Sequence, residues 1–198
     1  MMKSNEVLSL DLCGTLDDCK IYNYMWYSVI PEMYAENRGI SFEEAKIAVS
    51  KAYNQVGPSE IEWYLPSYWI NKFGLNYEKF LKKCESVKVH VPYELKNLKH
   101  KYRLILSTNV SKEVLAFSLA ENFFDEIYSS VDLGYPKKDE RFWNAVIDKE
   151  NVKPFEIIHL GDDYVYDYLI PSSLGIRSKL SGLKNFRFNL FYMIGIRL

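Results

Sequence analysis

Cysteine is scarce in this chain of 198 residues: Cys13, Cys19 and Cys84 are all there is, with no CxxC pair among them. A sparse and odd set argues against a disulfide framework and makes a reduced, cytoplasmic compartment the simplest home. There is no excess of charge of either sign, since 25 basic residues face 26 acidic ones. No electrostatic footprint therefore points to nucleic acid or to an anionic membrane surface. Long apolar runs are missing as well. No window reaches the roughly 18 apolar residues of a membrane span, and the opening MMKSNEVLSLD lacks the apolar stretch of a signal peptide. Repeats and low-complexity tracts are also absent. The chain is instead rich in core-forming residues, 48% hydrophobic and 16% aromatic, enough for one domain with a sizeable insertion.

Two textures alternate along it. Val7–Leu10, Arg103–Ser107, Glu126–Ser129 and Glu156–Leu160 are short apolar or alternating runs that read as strands, with helical spacing over Ser111–Asn122 and Asp139–Lys149. Strand followed by helix, repeated, predicts an α/β fold with a Rossmann-like, doubly wound parallel sheet. Between Asp17 and about Tyr93 the punctuation is helical. Ile21–Asn37 stops at Gly39, Ser41-Phe42-Glu43-Glu44 forms a capping box, and the next helix ends at Gly57-Pro58. Further helical runs reach Gly74 and pass through Tyr77–Glu85, while Pro31 and Pro66 should bend or break their segments. The division predicted is a core of residues 1–16 and 94–198 with a helical insertion over 17–93. So long an excursion directly after the first strand must sit above the crevice at that strand's end.

That strand carries the most informative string, Val7 to Leu16, VLSLDLCGTL. A β-prone run that ends on Asp11, with Gly14 and Thr15 behind it to turn the chain, presents a carboxylate in the crevice where α/β proteins place chemistry. Further along, Leu104-Ile105-Leu106-Ser107-Thr108-Asn109 ends a strand on hydroxyl and amide groups. Gly134-Tyr135-Pro136-Lys137-Lys138-Asp139 precedes a helix that carries Trp143. Ile158-His159-Leu160-Gly161-Asp162-Asp163 puts acids at a strand tip, with Asp167 one helical turn beyond. Clustered carboxylates repel one another unless a cation or protons neutralise them, and an all-oxygen donor set suits Mg²⁺.

In this order the four strings resemble the four motifs of the haloacid-dehalogenase-like (HAD) hydrolases, and the resemblance spans Val7–Gly175. It implies a Rossmann-like core whose inserted helices form a cap. It also implies that Asp11 is a nucleophile, and that Thr108, with Ser107 as the fallback, Asn109 and Lys137 bind and neutralise a phosphoryl group. Asp11, the backbone carbonyl of Cys13 and Asp162 would hold Mg²⁺, with Asp163 and Asp167 orienting its waters or the lysine. His159 lies on the strand side away from the acids by simple alternation and reads as a packed histidine without a catalytic role.

One letter departs from the family pattern: its second aspartate, the general acid and base, is Cys13 here, which reads as a small apolar filler. The resemblance thus implies a phosphatase of a small phosphorylated metabolite whose turnover on alkyl phosphates is impaired. Two other enzyme classes in the same superfamily dispense with the second aspartate. The haloacid dehalogenases need no metal and have neutral residues where this chain has Asp162 and Asp163. The phosphonoacetaldehyde hydrolases require a cap lysine, for which Lys46, Lys51 and Lys72 are available. A phosphate-ligand-binding protein with little turnover is the third alternative. Tyr24, Trp26, Trp63, Tyr64, Tyr68 and Trp69 could line a pocket, but aromatic residues at helical spacing more often form the core of the cap. Phe186–Leu198, an apolar, aromatic run with two arginines, reads either as a final edge strand or as a sequence of altered origin.

Overall fold

The computed structural model describes residues 6–85, 95–116 and 123–186. Five strands, β1 Val7–Leu10, β2 Arg103–Thr108, β3 Glu126–Ser129, β4 Ile157–Gly161 and β5 Arg177–Leu180, pair in parallel in the order β3-β2-β1-β4-β5. This is the doubly wound sheet that the alternation of strand and helix predicted. β1 is central, with Leu10 beside Leu106 on one side and Leu160 on the other. Its four residues are all buried, as both faces of a parallel sheet are covered. The fifth strand, RSKL, escaped the reading of the sequence because an exposed edge strand has no apolar run to show.

Alternation along the strands sorts the core into two halves. Leu8, Leu104, Leu106, Ile158 and Leu160 face one way. Val7, Ile105 and Ile157 face the other, where they pack on Phe142, Trp143 and Val146 of helix Glu140–Glu150. The first half runs without a break into the helices that lie between β1 and β2. Leu12, Leu16 and Ile21 connect it to Trp26, Val49, Tyr53, Trp69 and Phe73, whose rings meet edge-on at 4.6 to 5.4 Å for the Trp26–Tyr53 and Tyr53–Trp69 pairs. Polar contacts among the described residues also tie this helical segment to the sheet side. Ser67 N–H donates to Glu113 at 3.1 Å, and Lys138 Nζ donates to Ser59 Oγ at 2.6 Å.

In the helical segment, α1 Lys20–Tyr24 continues through a π-helical turn, Met25–Val29, into α2 Ile30–Arg38. Pro31 does not break the run as expected, because the wider turn just before it absorbs the missing N–H and the bulk of the ring. Pro66 instead opens a helix, α4 Pro66–Phe73, at the position where an N–H would have no intrahelical partner. The capping box forms at α3 Phe42–Val56, with Ser41 N–H donating to Glu44 at 2.9 Å. α5 Tyr77–Cys84 ends the described part of the segment. The expected return to the core at residues 93–94, residues 117–122 of the helix after β2, and 187–198 of the C-terminal run lie outside the described residues.

Candidate active site

The C-terminal ends of β1, β2 and β4 deliver Asp11, Thr108 and Asp162 to one cavity of about 230 Å³, which Asn109, Lys137, Asp167 and three tyrosines also line. Backbone geometry permits so tight a cluster. Gly14 turns the chain at φ +88°, a conformation side chains resist, and a Cβ there would overlap the Asp162 carboxylate. A Cβ at Gly161 would overlap Asp167 in the same way. The glycines of the first and fourth strings are thus the clearance for the acids.

Lys137 sits among them, almost fully buried at 1% exposure. Its Nζ donates to Asp11 Oδ1 at 2.7 Å and also to Asp167 Oδ1. Asn109 Oδ1 accepts from the Lys137 backbone N–H at 3.0 Å, so the amide at the end of β2 fixes the loop that presents the lysine. Thr108 Oγ1 accepts from Val110 N–H at 3.1 Å and borders the cavity, whereas the Ser107 hydroxyl is spent inside the sheet, 2.9 Å from Ser9 Oγ. Asp163 turns away from the other acids. Its Oδ1 accepts from Val165 and Tyr166 N–H at 2.8 Å each and caps the following helix. Among the described residues, carboxylate oxygens of Asp11, Asp162 and Asp167 lie within 4.8 Å of one another.

One ammonium cannot neutralise three acids. Burial, together with Asp167 and Asp162 nearby, pushes the Asp11 carboxyl up to about 7 despite Lys137. Burial also raises Asp162, with Asp167 adding to it. Burial alone would raise Asp167, but Lys137 and His159 outweigh it and hold that carboxyl well below the usual range. Lys137 in turn stays charged, because Asp11 and Asp167 overcome the desolvation that opposes its charge. Surplus negative charge on hard oxygen donors is the environment that fits a divalent cation such as Mg²⁺.

Two readings of the sequence need correction. Cys13 is not a free filler: it forms a disulfide with Cys19, with the Cα atoms 4.9 Å apart. The loop between them closes because Gly14 N–H donates to the Asp17 carbonyl at 2.8 Å, Cys19 N–H donates to Asp17 Oδ1 at 2.9 Å, and Cys19 itself turns left-handed at φ +60°. A spacing of six residues carries no signature by which a sequence would betray this. Cys84 is free and buried in the helical segment.

His159 is the second correction. Counted against Asp162 it falls on the opposite parity, but in register it pairs with Ser9, two residues before Asp11, and so shares the nucleophile's face. Its Nε2 lies 3.1 Å from Asp167 Oδ1 and its Nδ1 lies 2.9 Å from Ser9 Oγ. Burial lowers the imidazole below its ordinary value and keeps it neutral. Of the six cap aromatics singled out in the sequence, Tyr64 lines the cavity, while Trp26 and Trp69 are core. Tyr22 and Tyr166, which line it, carried no distinguishing pattern among sixteen tyrosines.

No protein-family model matches the chain. A curated protein of Escherichia coli, the GMP/IMP nucleotidase YrfG, is 27% identical over 192 residues that cover 90% of this chain and 86% of its own. Among solved structures, a HAD phosphatase from Thermococcus onnurineus superposes with a TM-score of 0.77 at 18% identity, covering 98% of each chain. A HAD family enzyme from Bacteroides thetaiotaomicron, solved with magnesium and inorganic phosphate, gives a TM-score of 0.57 at 18% identity over 88% of this chain and 93% of its own. At these identities the structural likeness establishes a shared fold.

Proposed function

We propose that this chain, a HAD-like hydrolase by fold and by likeness to a nucleotidase, is a Mg²⁺-dependent phosphatase of a small phosphorylated metabolite. The observation that carries the reading is the Lys137–Asp11 bond of 2.7 Å beside Asp162, one buried cation among three acids. Asp11, Asp162 and the Cys13 carbonyl would hold Mg²⁺, which when bound supplies positive charge to the phosphoryl oxygens. Lys137 engages Asp11 Oδ1 and leaves Oδ2 to attack phosphorus, forming an aspartyl-phosphate as the alcohol departs. The same ammonium and the Thr108 hydroxyl offset charge that builds on the equatorial oxygens. Water then cleaves the aspartyl-phosphate and regenerates the carboxylate.

The helices over 17–93 serve as the cap, with Tyr22 and Tyr64 closing the cavity from above. Its volume of about 230 Å³ is below the roughly 300–1,000 Å³ of most ligand pockets. A phosphate with a small attachment fits as it stands, and a whole nucleotide requires the cap to open. The family's acid and base is missing, since a disulfide sulfur at Cys13 has no proton to give.

The deciding experiment is a panel of purine nucleoside monophosphates, sugar phosphates, p-nitrophenyl phosphate, phosphonoacetaldehyde and haloacids, each with Mg²⁺ and with chelator. Mg²⁺-dependent phosphate release is expected. Halide release that resists chelator, or thermal stabilisation by phosphate without any turnover, would overturn the proposal.

A further inference from the structure

The site does not end at Lys137. Behind it a line of fully buried polar groups passes into the sheet: Asp167, His159, Ser9 and Ser107, on β4, β1 and β2 and the helix after β4. His159 Nε2 stands 3.1 Å from Asp167 Oδ1, the oxygen that also receives Lys137, and Ser9 Oγ stands 2.9 Å from both His159 Nδ1 and Ser107 Oγ. Three hydrophilic side chains across the middle of a parallel sheet are costly unless every group is paired. Apolar residues of the same shape would fill the space at no such cost.

We infer that His159 is a positioning residue, which through its bond to Asp167 fixes the carboxylate that aims Lys137 at Asp11. Asp167 Oδ2 accepts from the Asp163 N–H at 3.0 Å, and Oδ1 accepts from His159 and Lys137. Three donors therefore leave the carboxylate a single orientation. The tautomer follows from what each ring nitrogen faces. A carboxylate only accepts, so Nε2 carries the proton and Nδ1 is left as the acceptor that faces the Ser9 hydroxyl at 2.9 Å. Trp143 closes the other side of the ring, 4.6 Å away edge-on, and holds its plane. The relay is thus defined from the sheet interior to the nucleophile.

The kinetic side of this inference rests on the phosphatase reading, but its spectroscopic side does not. In the metal-free protein, ¹⁵N-edited NMR of the imidazole should show a neutral Nε2–H tautomer whose proton exchanges slowly. An Nδ1–H tautomer or a doubly protonated ring would overturn the relay whatever the enzyme hydrolyses. His159→Phe keeps a ring but no donor, and should lower kcat about 10- to 100-fold with KM changed less than about 3-fold. His159→Gln, whose amide reaches the Nε2 position, should restore most of that loss. Ser9→Ala should lower kcat less, and should add nothing further when combined with His159→Phe. Equal impairment of Phe and Gln variants with matched melting temperatures would mean packing alone, and additive effects of Ser9→Ala and His159→Phe would mean independent sites. Should His159→Phe fail to fold, Gln and Ser9→Ala with the NMR signature still decide.

Discussion

Lys137 Nζ lies 2.7 Å from Asp11 Oδ1, a contact between residues 126 positions apart that joins the loop before helix Glu140–Glu150 to the tip of the central strand. Both side chains are buried, and each alone would be costly in that setting.

Asp11→Asn should therefore abolish turnover, by at least about 10³-fold, while leaving the protein folded. The amide cannot attack phosphorus. It also removes a carboxylate that its surroundings push up to about 7, so the metal-free variant should melt no lower than the native protein. Steady-state assay and thermal melting on the same preparation check both parts.

Lys137→Met strips the cluster of its one buried cation. Its hydrogen-bond partners Asp11 and Asp167 lose that compensation, and denaturant unfolding in chelator should show a loss of about 3 kcal/mol or more. Adding Mg²⁺ should recover part of it. An unchanged midpoint would mean that solvent already screens the cluster.

How much of this was legible beforehand depended on periodicity. β1, β2, β4 and the acid strings could be read because buried parallel strands are continuous apolar runs that end abruptly on polar residues. The edge strand Arg177–Leu180 could not, since its exposure removes the run. Counting along β4 alone places His159 away from the acids, whereas the neighbouring strand's register decides which acid it shares a face with. The Cys13–Cys19 pairing depends on a left-handed turn and an Asp17 carboxylate that no spacing rule encodes. Tyr22 and Tyr166 are pocket residues by virtue of tertiary placement alone.

Mg²⁺ binding should release protons near pH 6. In the folded, metal-free protein Asp11 takes up a proton below about 7, against 3.8 for an ordinary carboxyl. Between those values the folded state holds more protons than the unfolded chain, so Asp11 lowers stability progressively as pH rises from about 4 to about 7. A cation favours the ionised form, expels the proton and reverses that loss. Calorimetry in two buffers of different ionisation enthalpy should show proton release at pH 6 that fades above about pH 8. Mg²⁺ at 100 times its Kd should add about 2.7 kcal/mol of stability, and Asp162→Asn should remove most of that gain. No proton release at pH 6 would mean that Asp11 is already ionised.

Reduction should loosen the nucleophile loop. Opening a disulfide that spans six residues costs about 2 kcal/mol by chain entropy, and unfolding with and without reductant should show that difference. Alkylation of the unfolded protein should label Cys84 alone before reduction and all three cysteines after it. Three reactive thiols in the unreduced protein would show that the pair is open. A glutathione-buffered compartment favours the open form, so the cytoplasmic expectation and the closed bond make opposite demands on this measurement.

The leaving group should set the rate. With Cys13 bonded to Cys19, residue 13 offers no proton where the HAD-like hydrolases, which the chain resembles, carry a second aspartate, so on the proposed reading an alkoxide would have to depart without one. p-Nitrophenyl phosphate and acyl phosphates, whose leaving groups need none, should turn over far faster than alkyl phosphates. The aspartyl-phosphate would also lack a base for its hydrolysis and should accumulate, giving a pre-steady-state burst. Restoring the family pattern takes two changes, because Cys13→Asp alone would leave Cys19 unpaired beside the site. The double variant Cys13→Asp, Cys19→Ala should raise alkyl-phosphatase turnover by about 10²-fold and abolish the burst, whereas Cys13→Ala, Cys19→Ala, which removes the disulfide without adding an acid, should not. Burst amplitudes and steady-state rates on both substrate types, compared across the three proteins, separate the effect of the carboxylate from that of the lost bond. Equal native rates on good and poor leaving groups, with no gain in the Asp variant, would place the proton donor elsewhere in the cavity, where the Tyr22 and Tyr64 hydroxyls, held protonated by burial, are the groups to substitute next.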